Sequence, residues 1–107
     1  MAKFKLVQYI DEETGKKWYH DQYLYWCKGC NEEHAIGLKS EGGHHHFNMD
    51  LNCPTVSPSV VCNFTKGRKC HSFIKDGRIQ YLSDCWHELA GKTIELPEIK
   101  TGDGENL

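Results

Sequence analysis

The fold of this chain depends on Tyr23-Leu24-Tyr25-Trp26-Cys27-Lys28-Gly29-Cys30, an aromatic run that leads directly into a C-x-x-C knuckle. The aromatic run predicts a strand over residues 23–26, and residues 32–38 are a candidate return strand. Two strands that meet at C-x-x-C are typical of a zinc knuckle. A second stretch rich in metal-binding residues lies about forty residues downstream and contains Cys70, His71, Cys85 and His87. The two stretches therefore indicate two halves of one zinc site.

The size of the chain limits its core. A chain of 107 residues is long enough for one domain, and only 38% of its residues are hydrophobic. We therefore expect one zinc-stabilised domain over residues 1–100 and a flexible polar tail over residues 101–107. A domain of this size buries only about two-thirds of the surface that its unfolded chain exposes. A bound metal ion, worth on the order of 10 kcal/mol, would then supply a large share of the stabilisation.

Charge and composition narrow the partners and the compartment. Thirteen basic and fifteen acidic residues leave a net charge of -2, which offers no broad positive field to nucleic-acid phosphates. No apolar run approaches the roughly 18 residues of a membrane span, and the first residues lack the apolar core of a secretion signal. We therefore expect a cytoplasmic protein that binds neither nucleic acid nor membrane. In a reducing compartment, six cysteines favour a metal site over disulfides.

The clearest local pattern is a hairpin around Asp76-Gly77, the signature of a two-residue type I′ turn between alternating runs. Such a turn determines the register and places Ile74 opposite Ile79. Because side chains alternate along a strand, one face of this hairpin then carries Cys70 and the other carries His71.

The chain after the hairpin predicts the remaining elements. Residues 84–91 have the pattern of a short helix, with Ser83 or Asp84 as its N-cap and Gly91 as its C-cap. A last strand is expected over residues 93–96. The predicted fold class is α+β, a small antiparallel sheet with a zinc knuckle and one short helix.

Two further segments have less regular patterns. Two prolines remove backbone donors from residues 54–61, which we expect to form an edge strand or an irregular crossing segment. Cys53 and Cys62 flank this segment and are expected to be spare thiols. Residues 44–46 are three consecutive histidines, expected to be exposed in a loop, with weak metal binding as the alternative.

The register of the hairpin suggests the ligands of the zinc. Cys85 falls diagonal to Cys70 on one face, whereas His71 points to the other. The predicted tetrahedral set consists of four thiolates, Cys27, Cys30, Cys70 and Cys85. Such a set would be closed to substrate and therefore structural. A set in which His34, His71 or His87 replaces one cysteine remains open.

His71 and Asp84 form one candidate catalytic pair. They lie diagonal to each other on the face opposite Cys70, and a carboxylate that orients an imidazole is a common acid-base arrangement. Ser57 or Ser59 is able to approach this pair from the proline segment, and the sequence leaves open whether either does. The non-catalytic interpretation is a histidine hydrogen bonded within a small core.

Cys85 offers a second catalytic arrangement. A cysteine at the start of a helix has a lowered thiol pKa, and His87 is a nearby candidate base beside Asp84. Residues two apart on a helix do not face each other, which disfavours this set. The candidate catalytic residues are thus His71, Asp84 and His87.

Several motifs of the chain form a recognisable set. They are Trp26-Cys27-x-x-Cys30, Phe47-Asn48, Pro54-Thr55-x-Ser57-Pro58-Ser59, Cys70-His71-Ser72-Phe73-Ile74, Asp76-Gly77-x-Ile79 and Asp84-Cys85-x-His87-x-Leu89-Ala90-Gly91. This set resembles that of an uncharacterised family of small phage and bacterial proteins with a zinc knuckle, often mislabelled ammonia monooxygenase. More distantly, the chain is similar to peptidases of bacterial operons for ubiquitin-like conjugation. Those peptidases share the knuckle, a Pro-Ser pair like Pro58-Ser59 and a histidine like His71.

The resemblance leads to two functional hypotheses. It implies a zinc-binding bacterial or phage-encoded peptidase or isopeptidase that acts on a protein conjugate, which would be ubiquitin-like. The alternative is a non-enzymatic module whose zinc stabilises a protein-binding surface, such as a phage factor that binds a host protein. No H-E-x-x-H motif is present in the sequence, which disfavours a catalytic zinc specifically.

Overall fold

The structure is a computed structural model that describes residues 2–63 and 67–99. Within these ranges the chain forms eight β-strands in two antiparallel sheets. The tail expected over residues 101–107 lies outside the described residues. In the described part of the chain, no helix has the length and apolar content that a membrane crossing requires.

The first sheet has three strands in the order β1-β2-β3, and the second has five in the order β4-β5-β6-β7-β8. The first sheet comprises β1 (Lys5–Val7), β2 (Gln22–Cys27) and β3 (Glu32–Gly37). The second comprises β4 (His46–Phe47), β5 (Val56–Cys62), β6 (Cys70–Lys75), β7 (Arg78–Tyr81) and β8 (Thr93–Glu95). One turn of 3-10 helix, Lys39–Glu41, follows β3.

The two strands predicted beside the C-x-x-C knuckle are present. β2 and β3 pair along their whole length, from Gln22 opposite Gly37 to Cys27 opposite Glu32. The chain reverses between Cys27 and Glu32, where Asn31 has a φ of 58°. Asn tolerates this left-handed conformation better than most residues. The knuckle therefore lies at one end of the first sheet.

The predicted hairpin is also confirmed, including its register. Lys75 pairs with Arg78, and the ladder continues to Ser72 and Tyr81. Asp76 and Gly77 have φ values of 51° and 78°, the positive values that a type I′ turn requires at both central positions.

The prediction of an α+β fold with a helix over residues 84–91 is wrong. The described residues contain no α-helix, and this segment forms turns in which the Ala90 N–H donates to the His87 carbonyl at 3.2 Å. A helix of eight residues has little stability of its own. The side chains of this segment instead contact groups on different sides of the chain, which a single helix face would not allow.

β5 lies inside the second sheet, although the proline segment was expected at an edge or in an irregular crossing. Val56 pairs with Ile74, and Val60 pairs with Ser72, so three residues of β5 stand opposite the single residue Phe73. This irregularity is a β-bulge that contains a cis Ser57-Pro58 peptide bond. Because the missing proline donor falls in the bulge, the ladder on either side stays intact.

The inner faces of the two sheets share one core among the described residues. In β6, buried Cys70, Ser72 and Ile74 alternate with more exposed residues. Aromatic rings join the two layers. Phe47 of the second sheet lies with its ring centroid 5.0 Å from that of Tyr23 in the first sheet and 5.0 Å from that of Phe4, which precedes β1. The other face of β6, which carries His71 and Phe73, points outward.

Candidate active site and metal centre

Four side chains that are suited to hold a metal ion meet at one end of the core. Their ligand atoms all lie within 4.8 Å of one another. The group consists of Cys27, Cys30, Cys70 and His87. Cys27 ends β2 and Cys30 follows in the knuckle, whereas Cys70 begins β6 and His87 lies after β7. The two sheets thus contribute to one site.

The distances within this group fit a tetrahedral ion. The Sγ atoms of Cys27 and Cys70 are 3.8 Å apart, and Cys70 Sγ lies 3.4 Å from His87 Nε2. Tetrahedral zinc with ordinary bond lengths places two sulfur ligands about 3.8 Å apart and a sulfur and a nitrogen about 3.5 Å apart. The residues present therefore fit a four-coordinate metal ion.

Hydrogen-bond donors surround the sulfur atoms of the group. The Tyr81 hydroxyl lies 3.3 Å from Cys27 Sγ, and the Trp86 indole N–H donates to Cys30 Sγ at 3.3 Å. The Cys30 backbone N–H also donates to Cys27 Sγ, at 3.4 Å. Such donors stabilise thiolates and orient metal ligands.

Contacts among these side chains strongly shift the pKa values of Cys27, Cys70 and the neighbouring His34. A hydrogen bond with Cys70 lowers the pKa of Cys27 to about 3, and the same contact raises the pKa of Cys70. The two thiols are therefore coupled, and their contact favours the thiolate form of Cys27. Burial lowers the pKa of His34, but hydrogen bonds with Cys27 and Cys62 outweigh burial and raise it to about 11. A buried thiolate next to donors is the form of cysteine that binds a metal.

The metal-ligand group differs from the predicted set in its fourth member. Cys85 lies outside it, and its thiol donates to the His71 carbonyl at 3.0 Å and accepts from the His71 N–H at 3.3 Å. His87, one of the open alternatives, takes the position. Gly29 makes this arrangement possible, because a Cβ atom at Gly29 would overlap the His87 ring. Cys85 and His87 have different partners, the His71 backbone and Cys70 Sγ, so the predicted Cys85–His87 nucleophile set is not brought together.

On the opposite face of β6, a second group of polar side chains is aligned. The Ser59 hydroxyl lies 3.0 Å from His71 Nε2. His71 Nδ1 lies 3.3 Å from Asp84 Oδ2. His71 and Asp84, which the sequence paired, are therefore in contact, and Ser59 rather than Ser57 completes a serine-histidine-aspartate chain.

Strand register and the β5 bulge explain how Ser59 meets His71. Val61 is directly opposite His71 in the ladder, so Ser59, two residues earlier on β5, is on the same face and diagonal to it. The bulge over residues 57–59 displaces the strand at this point. Bulges beside active sites commonly redirect a side chain in this way.

Asp84 is held as a carboxylate beside His71. The Lys69 ammonium lies 2.8 Å from Asp84 Oδ2, the same oxygen that faces His71. The hydrogen bond with Lys69, followed by that with His71, lowers the pKa of Asp84 against the opposing effect of desolvation. Asp84 therefore remains negatively charged at neutral pH and can stabilise a protonated imidazole.

The sequence left open whether Ser57 or Ser59 approaches His71, and it offered His87 only as an alternative to one of the four cysteine ligands. The Pro58-Ser59 pair was the available signal for the first. For the second, the signal was Gly29, because a glycine in a knuckle permits the close approach of another group.

The aligned Ser59, His71 and Asp84 side chains have the arrangement of a serine-histidine-aspartate triad. The family model described as "Bacterial ubiquitination-like system serine protease (BubE)" matches residues 3–82 of the chain. The chain belongs to this family. Ser59 and His71 lie within the matched residues, and Asp84 lies just beyond them. No curated protein and no solved structure matches the chain.

Proposed function

We propose that this protein is a serine protease that cleaves a peptide or isopeptide bond in the protein conjugates of a bacterial ubiquitination-like system. The observation that carries the proposal is the chain of contacts from the Ser59 hydroxyl through His71 to Asp84. Membership of the serine protease family supports it independently. His71 and Asp84 retain the catalytic roles expected from the sequence, and Ser59 is the nucleophile.

In the proposed reaction, Ser59 Oγ attacks the carbonyl carbon of the scissile amide while its proton passes to His71 Nε2. The carbon-nitrogen bond then breaks, the departing amine takes that proton, and the acyl group stays on Ser59 as an ester. A water molecule, deprotonated by His71, attacks this ester. The bond between the acyl carbon and Ser59 Oγ then breaks, His71 returns the proton to Ser59 Oγ, and the carboxylic acid product leaves. Throughout, Asp84 accepts the hydrogen bond from His71 Nδ1–H and stabilises the imidazolium that forms.

We propose that the metal is zinc and that its role is structural. Cys27, Cys30, Cys70 and His87 would occupy all four tetrahedral positions, which leaves none for substrate. The metal group also lies on the inner face of β6, whereas His71 lies on the outer face. When bound, the ion supplies bonds that join the two sheets.

The proposed substrate-binding region is the outer face of the second sheet beside His71. A groove of about 770 Å³ runs over this face and is lined, among others, by Ser57, Phe73, Lys75, Gln80, Thr93 and Glu95. Phe73 is 45% exposed, and its ring centroid lies 6.5 Å from that of His71. An exposed aromatic side chain next to the reacting groups favours a substrate with an apolar side chain near the scissile bond.

Labelling with a fluorophosphonate probe, which reacts with activated serine hydroxyls, tests this function. We expect the metal-loaded protein to be labelled on Ser59, as identified by mass spectrometry of its peptides. Ser59→Ala should abolish labelling and lower p-nitrophenyl acetate hydrolysis by about 10⁴-fold. Ser40→Ala is the matched control, because Ser40 is an exposed serine outside the groove, and it should retain both signals.

Two outcomes would contradict the proposal. The first is wild-type protein that is fully loaded with metal yet neither reacts with the probe nor hydrolyses the ester. That result would favour the non-enzymatic, protein-binding module. The second is labelling that persists in Ser59→Ala, which would assign the nucleophile to another residue.

A further inference from the structure

Residues 84–87 connect the two sites directly. At the start of this segment, which we call the linking segment, Asp84 faces His71 on the outer side of β6. At its end, His87 Nε2 lies 3.4 Å from Cys70 Sγ in the metal group. Three peptide units span about 10 Å at most, so the position of one end restricts the other.

The linking segment contains no strand or helix, so individual side-chain and backbone contacts hold it in place. The Cys85 thiol contacts the backbone of His71, and the Trp86 backbone N–H donates to the Lys69 carbonyl at 3.0 Å. The Trp86 indole N–H donates to Cys30 Sγ, which belongs to the metal group. Trp86 therefore contacts a member of the metal group, and His87 is itself a member of it.

Ser59 and His71 are supported differently. Both lie on strands of the second sheet: His71 stands opposite Val61 in the ladder, and Ser59 lies in the bulge that paired residues flank on both sides. Backbone hydrogen bonds on both sides hold these strands in register without any metal ion. Asp84 has no such ladder. Loss of the metal should therefore affect the third member of the catalytic chain before it affects the other two.

We infer that His87 is a positioning residue for Asp84: the bound metal holds the linking segment, and the segment holds the carboxylate against His71. The inference rests on the proposed function. It makes proteolysis dependent on a metal ion that does not touch the reacting atoms. It also couples two adjacent residues on opposite faces of β6: Cys70, which belongs to the metal group, and His71, which belongs to the catalytic chain.

A double-mutant cycle in the full chain tests this coupling. Asp84→Asn should lower kcat for p-nitrophenyl acetate by about 10³- to 10⁴-fold. His87→Ala should lower kcat in the same direction and no further, with little change in KM. The double variant should match Asp84→Asn alone, because His87 acts through Asp84. His87→Cys, which restores a fourth ligand, should recover metal content and most of kcat.

Two further measurements do not depend on turnover. Metal content per chain, measured by mass spectrometry, should fall in His87→Ala and recover in His87→Cys. The NMR signal of the His71 Nδ1 proton should be present in metal-loaded wild type and lost in His87→Ala. Glu88→Ala is the matched control, because Glu88 is an exposed neighbour outside the segment, and it should behave as wild type.

Trp86→Phe serves if His87→Ala does not fold. It removes the indole donor to Cys30 and keeps an aromatic ring next to Arg68 and His87. It should weaken the His71 Nδ1 proton signal and lower kcat to a smaller extent. Multiplicative losses in the double-mutant cycle, or an unchanged His71 signal in metal-free protein, would overturn the inference. Inactive wild type with a metal-dependent His71 signal would instead reject the proposed function and leave the coupling standing.

Discussion

Gly29 shows how one residue determines which side chains can share a metal ion. The His87 ring occupies the space where a Cβ atom at Gly29 would lie. Gly29 does not have a positive φ, so its backbone conformation is open to other residues. The requirement for glycine at this position is therefore steric, and it concerns the fourth ligand of the group rather than the knuckle turn.

We accordingly expect Gly29→Ala to displace the His87 ring and weaken metal binding at least about 10-fold. Competition with a chromophoric chelator measures this affinity. Lys28→Ala is the control, because Lys28 is an exposed residue of the same knuckle. Equal affinities for Gly29→Ala and wild type would show that His87 does not bind the ion.

At the scale of the element, β6 separates the metal group from the proposed catalytic groups, because successive side chains of a strand point to opposite faces. Its buried residues, beginning with Cys70, face the metal and the core, and its outward residues begin with His71. β5 adds Ser59 to the outer face through its bulge. Phe73 stands opposite that bulge and continues the outer face into the groove.

This placement predicts that Phe73→Ala impairs peptide cleavage but not the catalytic groups themselves. In a positional library of fluorogenic peptide amides, kcat/KM for substrates with an apolar residue near the scissile bond should fall about 10-fold, mainly through KM. Hydrolysis of p-nitrophenyl acetate should stay unchanged. Trp18→Ala is the control, because Trp18 is a 66% exposed aromatic residue outside the groove. An unchanged peptide profile in Phe73→Ala would exclude this side chain from the substrate-binding region.

At the scale of the whole molecule, the metal group joins two sheets that are each small. Cys27 and Cys30 belong to the end of the first sheet, and Cys70 begins a strand of the second. Cys27 and Cys70 are also buried members of the apolar core that the two sheets share. Loss of the ion would leave the buried Cys27 and Cys70 thiols in contact with each other and without a metal to bind them.

Removal of the metal with a chelator should therefore lower the melting temperature by about 20 °C or more. Circular dichroism during heating, before and after zinc is restored, measures the change. Cys70→Ser should reproduce the loss and prevent recovery, whereas Cys53→Ser, at an exposed cysteine outside the metal group, should melt as wild type does. Identical melting with and without metal would contradict a stabilising role.

The sequence alone determined the features that depend on neighbouring residues. Alternation and the Asp76-Gly77 turn were sufficient for the hairpin, its register and the separation of Cys70 from His71, and the knuckle was sufficient for β2 and β3. The contact between His71 and Asp84 followed from the same register. These predictions succeeded because strand periodicity and turn chemistry act over a few residues.

Only the tertiary structure decided the rest. The helix predicted over residues 84–91 had good caps, but side-chain contacts with both sites replaced it. The choice of His87 over Cys85 depended on the space next to Gly29. The selection of Ser59 depended on a bulge in a segment that was expected to form an edge strand or an irregular crossing. Each of these outcomes requires residues distant in sequence to be packed together, and no local pattern records such packing.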